Sequence, residues 1–206
     1  MVNAGMTQNK MKNIKVAITG GIGSGKSEIS KIIKNKGYTV ISADETAKNI
    51  MRREQIKTAI AEKFCLKTDE NNNYNKAELA KIIFNDKDSL NWLNSYIHPL
   101  IVKEIFEILD RNNGLVFAEI PLLFESGTEK LFDKIIIVKR NSEQRIKSVM
   151  ARDNLSREEV EKRIKNQYNY ENLANIGHTI IYNDSDLEKL NKQVEILLNE
   201  MENKIL

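Results

Sequence analysis

Residues 14–27 have the sequence IKVAITGGIGSGKS, which indicates the fold more clearly than any other segment of the chain. Its first part is mostly apolar and β-branched, which predicts a short strand over residues 14–19. The following residues, 20–27, match the pattern G-x-x-x-x-G-K-[ST] at every fixed position. Isoleucines then recur at helical spacing, at Ile29, Ile32 and Ile33. The sequence therefore predicts a strand, a glycine-rich loop and a helix in direct succession.

The glycine-rich loop has the residue types that phosphate binding requires. Its glycines let successive backbone N–H groups turn inward around phosphate oxygens, and the helix that follows directs its positive N-terminus at the same anion. Lys26 would reach the β- and γ-phosphates, and the hydroxyl group of Ser27 would ligate Mg²⁺. We therefore predict a nucleotide-binding loop in which Lys26 is a catalytic residue and Ser27 is the metal ligand.

Apolar segments further along the chain extend this unit into a sheet. Short strands are predicted at residues 38–41, 115–120, 134–139 and 179–182. Residues 45–113 show helical periodicity almost throughout, with one polar break at residues 67–75. Strands that alternate with helices predict an α/β fold of the P-loop NTPase type, with a parallel five-stranded sheet and helices on both of its faces. The long helical stretch predicts a helical insert beside the sheet.

Composition excludes several other classes of protein. The 206 residues include 32 basic and 29 acidic side chains, and a net charge of +3 is too small to indicate a nucleic-acid platform. No apolar run approaches the ~18 residues of a membrane span. The single cysteine, Cys65, excludes an intramolecular disulfide and a cysteine-rich zinc site. We expect one cytoplasmic globular unit after a flexible N-terminus at residues 1–13. Its partners would be small molecules, neither nucleic acid nor a membrane, and its oligomeric state is open, with a monomer expected.

Three classes of P-loop protein are considered as interpretations of this sequence. A GTPase should carry D-x-x-G and [NT]-K-x-D, and neither motif is present. A motor or transporter ATPase usually has an apolar strand that ends in aspartate, which residues 116–119 (VFAE) only approximate. A small-molecule kinase needs a short chain, a helical acceptor region and a lid with arginines, and this sequence offers all three. The alternatives are a nucleoside monophosphate kinase or other small-molecule P-loop kinase, and a nucleotide-dependent switch without phosphoryl transfer.

Asp44 is the first candidate for chemistry outside the loop. It ends the segment Ser42-Ala43-Asp44, which directly follows the second predicted strand, and the ligands of parallel sheets gather at the carboxyl ends of strands. A carboxylate there could accept a hydroxyl proton from an acceptor or hold a Mg²⁺-bound water. The alternative, weighted equally and compatible with this role, is that Asp44 is the N-cap of a helix that begins at Glu45.

Arginines near the end of the chain are the second candidate. Arg152 lies at the end of a predicted helix, and Arg157 lies in the first turn of the next, which a capping box at residues 156–159 opens. Such a helix–turn–helix can close over phosphates, whose oxygens suit the guanidinium fork. The alternative is a solvated face of ordinary i,i+4 ion pairs, which also applies to Arg163. His98 precedes Pro99, which we place in the first turn of a helix, and is either a substrate contact or a capping or core residue.

With these residues in view, the chain resembles the dephospho-CoA kinase family. The likeness extends from about Ile14 to the last predicted helix. The loop alone is generic, and the ordered set of motifs is specific. These motifs are TGGIGSGKS at residues 19–27, VISAD at 40–44, IHPLI at 97–101, IPLLFE at 120–125, Arg152-Asp153 with Ser156 and Glu159, and Gln167.

The resemblance implies ATP-dependent phosphorylation of the 3′-hydroxyl of dephospho-CoA, the last step of coenzyme A synthesis, with ATP and Mg²⁺. It also implies one P-loop kinase unit over residues 14–206. Its parts are a core at about 14–44, 114–150 and 172–206, a helical CoA-binding region at about 45–113, and a lid at about 151–171.

The resemblance further assigns roles to individual residues. Asp44 matches the family's catalytic carboxylate, which also contacts the substrate, and Arg152 matches a catalytic lid arginine that contacts ATP. The remaining ATP contacts fall on Gly21, Gly23, Ser24, Gly25, Lys26, Ser27, Glu28 and Asn183. The other substrate contacts fall on His98, Pro121, Leu122 and Glu125.

Three positions depart from the family pattern. Ser42 replaces the first acid of an Asp-Ala-Asp signature, so it cannot be an essential base. Glu28 stands where threonine is common, and this should leave phosphate binding intact because the backbone does that work. Lys48 stands where arginine is common, which removes any bidentate contact.

Overall fold

The computed structural model describes residues 13–170 and 178–203. The chain divides into two compact units, residues 1–41 with 109–206 and residues 42–108. The second unit overlaps the predicted helical region, 45–113. Residues 109–113 fall in the first unit, where the amide group of Asn13 donates to the backbone carbonyls of Leu109 (2.6 Å) and Asn112 (3.0 Å). Residues 1–12, the greater part of the predicted flexible N-terminus at 1–13, lie outside the described residues, and that prediction stays a prediction.

The first unit contains the five-stranded sheet, and the predicted fold class is confirmed. The strands are β1 (Ile14–Thr19), β2 (Thr39–Ser42), β3 (Leu115–Glu119), β4 (Lys134–Lys139) and β5 (Thr179–Tyr182). Their order is β2-β3-β1-β4-β5, and β1 pairs in parallel with both β3 and β4. The carboxyl end of the central strand β1, where the glycine-rich loop begins, therefore lies between the carboxyl ends of two neighbours.

Buried apolar side chains join the sheet to two helices. Helix α1 (Lys26–Asn35) buries the predicted isoleucines Ile29, Ile32 and Ile33. The C-terminal helix, α8 (Leu187–Asn203), packs into the same apolar cluster through Leu190, Val194 and Leu198. A second cluster, on Ala17 and Ile137, is closed by Leu123 and Tyr170. Alternate residues of the strands thus enter separate clusters, as in a sheet that is covered on both faces.

Two further helices of the first unit form a hairpin. They are α6 (Ser142–Asp153) and α7 (Arg157–Lys165), separated by Asn154 in the left-handed conformation. The predicted capping box is present, with Ser156 Oγ accepting from the N–H of Glu159 and the Glu159 carboxylate accepting from the N–H of Ser156. The predicted lid, 151–171, contains α7, and its last residue lies outside the described ones.

The second unit is helical and has its own core. Its helices are α2 (Ala43–Met51), α3 (Glu54–Phe64), α4 (Lys76–Asn85) and α5 (Lys87–Asp110), the last of which ends in the first unit. Ile50, Ile60 and Leu79 are among the residues buried between them. Across the described residues, none of the helices has the length and apolar character that crossing a membrane requires.

The prediction that a helix begins at Pro99 is wrong. Pro99 lies inside α5, which runs for 24 residues. Leu93 and Ile97 before the proline and Leu100 and Ile101 after it keep one apolar face in the core of this unit. Their burial opposes the ~3 kcal/mol that an interior proline costs, and the proline itself is exposed. His98 therefore lies in mid-helix and is exposed, so it is neither a cap nor a core residue.

Candidate functional site: a phosphate-binding loop

Residues 20–25 link β1 to α1, and two of them have a backbone conformation that glycine adopts without strain. Gly23 and Gly25 have φ angles of 74° and 89°, in the left-handed region. Gly25 is also the N-cap of α1 and, lacking a side chain, provides no capping group. The first-turn N–H groups of α1 and the positive end of its dipole are therefore directed into the loop.

Neighbouring atoms lie so close to the loop that side chains would not fit. A Cβ atom at Gly25 would lie 2.0 Å from Nδ2 of Asn183, and one at Gly20 would lie 2.3 Å from the carbonyl oxygen of Val138. Asn183 is buried and follows β5, and its amide group donates to the carbonyl oxygen of Ser24 (3.0 Å). The loop is thus held from outside by the ends of β4 and β5.

Lys26 and Ser27, the predicted phosphate-binding and metal-binding residues, both contact other groups around the loop. The ammonium group of Lys26 donates to the carbonyl oxygens of Gly20 (2.7 Å) and Gly21 (3.1 Å), across the loop. The hydroxyl group of Ser27 is exposed to solvent and donates to Oε1 of Glu119 (2.8 Å). Glu28 lies in the first turn of α1 and is half-buried.

Glu119 is a candidate site residue that the sequence motifs do not mark. Residues 116–119 only approximate the ATPase strand motif, yet they form β3, and Glu119 ends that strand beside the loop. Its side chain is 8% exposed. A carboxylate and a serine hydroxyl side by side are oxygen ligands of the kind that Mg²⁺ takes.

Arg145 was missed by the sequence analysis. It lies in α6 and donates from Nε to the carbonyl oxygen of Ile22 (3.0 Å) in the loop. Gln167, which was noted only for its family resemblance, accepts the N–H of Ile22 through Oε1 (2.7 Å). No local sequence pattern marks Arg145, since the contact joins residues 123 positions apart.

The predicted lid arginines take part in ion pairs. Arg152 lies in the last turn of α6, as predicted, and donates through two nitrogens to Asp153 (2.7 and 2.9 Å), which lowers the pKa of that carboxyl group. Arg163 lies 3.7 Å from the same carboxylate. Arg157 pairs with Glu161 at i,i+4 and with Glu143, which lowers the pKa of the Glu143 carboxyl group. The predicted contact of Arg152 with ATP stays a prediction.

The turn after β3 holds the segment that follows α7. Oε1 of Glu125 accepts the N–H of Tyr168 (2.9 Å), and the carbonyl oxygen of Pro121 accepts the hydroxyl group of Tyr170 (3.3 Å). Burial raises the pKa of Tyr170 to about 12. Leu122 is exposed. The substrate contacts assigned to Pro121, Leu122 and Glu125 remain predictions, and the structure gives two of these residues a scaffolding role.

Asp44 and His98 belong to the second unit. Helix α2 begins at Ala43, and its N-cap is Ser42, whose hydroxyl oxygen accepts the N–H of Glu45 (3.4 Å). Asp44 is therefore not the N-cap, because the helix begins two residues earlier than predicted. Its carboxylate is exposed in the first helical turn. The departure at Ser42 has a structural role, since this residue caps the helix that carries Asp44.

A parallel sheet with this glycine-rich loop at the end of its central strand, a lysine folded across the loop and a serine beside a buried carboxylate defines a P-loop nucleotide-binding protein. The comparisons narrow this class. Residues 14–189 match the model of the dephospho-CoA kinase family, and the chain belongs to that family, as the sequence motifs predicted.

Similar proteins agree with this assignment. A dephospho-CoA kinase from Fusobacterium nucleatum is 37% identical over 182 residues, which cover 87% of this chain and 94% of the relative. The structure of a dephospho-CoA kinase from Campylobacter jejuni matches 95% of this chain and all of that one, with 31% identity and a TM-score of 0.72. The crystal structure of TT1252 from Thermus thermophilus matches 92% of this chain and 98% of that chain, with 31% identity and a TM-score of 0.77.

The contact between Asn183 and the loop yields a prediction. We expect Asn183→Asp to lower the free energy of unfolding more than Asn183→Ala does. A carboxylate cannot donate to the carbonyl oxygen of Ser24 and would be a buried charge facing it, whereas alanine leaves one unpaired acceptor, which costs about 1–3 kcal/mol. Urea unfolding of the three proteins measures the difference. Equal stability of the aspartate and alanine variants would contradict the assigned donor.

Proposed function

We propose that this protein acts as a dephospho-CoA kinase, which transfers the γ-phosphoryl group of ATP to the 3′-hydroxyl of dephospho-CoA and forms coenzyme A. The observation that carries the proposal is the family match over residues 14–189, which contains a complete phosphate-binding loop. The loop provides the means to hold the triphosphate, and the family membership indicates the acceptor.

In the proposed reaction, the acceptor oxygen attacks the γ-phosphorus in line with the bond to the β–γ bridging oxygen, which breaks as ADP leaves. Lys26 and the N–H groups of residues 23–27 would balance the charge on the β- and γ-phosphates. Asp44 would orient the 3′-hydroxyl and take its proton. Arg152 would exchange Asp153 for the triphosphate and help to exclude water, which would otherwise hydrolyse ATP.

The remaining predicted contacts complete the proposal. Asn183, next to the loop, would lie near the adenine. His98 and the turn at residues 121–125 would contribute to the acceptor side. The role of Asp44 is supported by its place after the carboxyl end of β2, because ligands of parallel sheets bind beyond the carboxyl ends of the strands.

The acceptor is tested by one assay of ADP release. Mg-ATP is combined in turn with dephospho-CoA, AMP, CMP and UMP, and ADP formation is followed by a coupled reaction. We expect release with dephospho-CoA alone. Release with a nucleoside monophosphate instead would indicate a nucleoside monophosphate kinase, and release without any acceptor would indicate an ATPase or a switch.

The role of Asp44 is tested by Asp44→Asn. We expect kcat to fall by ~10²-fold or more, the range of general-base catalysis, while the affinity for ATP stays nearly unchanged. Glu45→Gln is the matched control, since it removes the adjacent exposed carboxylate of the same helical turn and should keep its kcat. A near-native kcat for Asp44→Asn would remove the proposed role.

Ser27 and Glu119 fit a Mg²⁺ ion, because their oxygens lie 2.8 Å apart beside the loop and both are hard ligands. Bound there with ATP, the ion would neutralise negative charge on the β- and γ-phosphates. The protein's own contribution would be a hydroxyl ligand from Ser27, oriented by the carboxylate of Glu119 directly or through a water.

This assignment predicts a specific defect for Glu119→Gln. We expect the Mg²⁺ concentration that gives half the maximal rate to rise by about 10- to 100-fold, as for other residues that orient metal ligands. Titration of the rate with MgCl₂ at fixed ATP measures it. The affinity for metal-free ATP is the control and should not fall. An unchanged Mg²⁺ requirement would exclude Glu119 from the site.

We also propose that the protein acts on small molecules, as a cytoplasmic monomer. The near balance of 32 basic and 29 acidic residues supports small-molecule substrates over nucleic acid. Light scattering that gives the mass of a dimer would contradict the monomer, and recovery of the protein in the membrane fraction of its cells would contradict the location.

A further inference from the structure

Ile22, inside the phosphate-binding loop, contacts the α6–α7 hairpin and the segment that follows it through its N–H group, its carbonyl group and its side chain. Its N–H donates to Gln167 (2.7 Å), and its carbonyl oxygen accepts from Nε of Arg145 (3.0 Å). Its side chain packs against the buried cluster of Ile146, Val149 and Val160. These contacts fix both peptide units that flank Ile22.

Arg145 also lies directly against the loop on either side of Ile22. A Cβ atom at Gly21 would lie 2.3 Å from a terminal guanidinium nitrogen of Arg145. A Cβ atom at Gly23 would lie 2.8 Å from the carbonyl oxygen of Arg145. Residues 21–23 and Arg145 are therefore packed without space for an additional atom.

Because the peptide bond is rigid, these contacts also set the directions of neighbouring backbone groups in the loop. In a trans peptide unit, the carbonyl and N–H groups lie in one plane and point in opposite directions. The unit that joins Gly21 and Ile22 has its N–H on Gln167, so the carbonyl oxygen of Gly21 points the other way, where it accepts from Lys26 (3.1 Å). The unit that joins Ile22 and Gly23 has its carbonyl group on Arg145, so the N–H of Gly23 points away from Arg145.

We infer that Arg145 and Gln167 are positioning residues, which act through the backbone of Ile22 to hold the loop in the shape that receives a triphosphate. The N–H of Gly23 and the ammonium group of Lys26 are two donors that would bind it, and each is oriented by one of these contacts. Groups that are already oriented bind more tightly, because no conformational entropy is lost when the ligand arrives. The inference rests on the proposed function only as far as nucleotide binding.

The donating atom distinguishes positioning from simple attraction of charge. Arg145 lines a cavity of about 310 Å³ together with two other cations, Arg140 and Lys165. If positive charge alone determined the affinity for nucleotide, all three cations would contribute equally. Arg140, however, donates to Gln144 and Ser148 rather than to the loop. Positioning assigns the effect to Nε of Arg145, the atom that bonds Ile22.

Two substitutions separate these effects at the same site. Arg145→Gln places an uncharged N–H donor the same number of bonds from Cα as Nε of arginine, whereas Arg145→Met has similar length and no donor. Calorimetric titration with Mg-ADP gives Kd, and steady-state rates give KM for ATP, KM for dephospho-CoA and kcat. Arg140→Met is the matched control, and thermal unfolding of each variant shows that it is folded.

We expect Arg145→Met to raise Kd for Mg-ADP and KM for ATP about tenfold, with KM for dephospho-CoA unchanged. Arg145→Gln should stay within about threefold of the wild type, and Arg140→Met should bind Mg-ADP as the wild type does. An Arg145→Gln variant as weak as Arg145→Met, or an Arg145→Met variant as tight as the wild type, would overturn the inference. So would a lower unfolding temperature in Arg145→Met with Kd unchanged.

A double-mutant cycle with Gly21→Ala tests the same contact from the loop. The backbone of Gly21 is outside the left-handed region, so alanine is allowed, but its Cβ must displace the guanidinium group. We expect Gly21→Ala to weaken Mg-ADP binding in the wild type and to add little to Arg145→Met. Additive effects would contradict the inference. Because ADP binding needs no acceptor, the inference survives if dephospho-CoA is not phosphorylated, whereas a wild type that binds no Mg-ADP overturns both proposals.

Discussion

Atoms of β4, of α6 and of the residue after β5 lie very close to residues 20–25, and this packing shapes the phosphate-binding loop. Atoms of Val138, Arg145 and Asn183 lie where side chains would be if residues 20, 23 and 25 were not glycines. The close packing fixes the backbone, and the fixed backbone orients N–H and carbonyl groups before any ligand is present. Glycine is therefore required at these positions for two reasons: neighbouring atoms leave no room for a side chain, and the turn needs glycine's conformational freedom.

The parallel sheet brings these surroundings together. Since β1 lies between β3 and β4, the residues that follow three different strands meet at one edge. Glu119 at the end of β3, Val138 at the end of β4 and Asn183 after β5 all reach the loop, although they are far apart in the chain. Strand order thus converts distant residues into one binding site, as parallel α/β sheets generally do.

Much of this could be predicted from the sequence, for physical reasons. The strands are short, β-branched and flanked by glycine or polar residues, and the loop motif marks its own place between β1 and α1. The capping box at Ser156 depends on residues three apart, so it is visible locally. The family motifs indicate the identity of the acceptor, because hydrophobic periodicity carries no information about a substrate.

The errors share another cause, which is the influence of residues distant in sequence. Local preference favours Pro99 in the first turn of a helix, but packing of the apolar face carries α5 through it. Asp44 has the side chain of an N-cap, but Ser42 takes that position. No pattern in α6 indicates the contact of Arg145, because its partner, Ile22, is 123 residues away.

If the loop is a preformed receptor for a nucleotide's phosphates, a crystal structure with Mg-ADP will show the β-phosphate within about 3 Å of N–H groups within residues 23–27. The ammonium group of Lys26 will be turned towards it, and the Ile22 contacts to Arg145 and Gln167 will be retained. A well-ordered nucleotide bound elsewhere, or a loop that must rearrange around Ile22 to admit the phosphate, would contradict a preformed receptor.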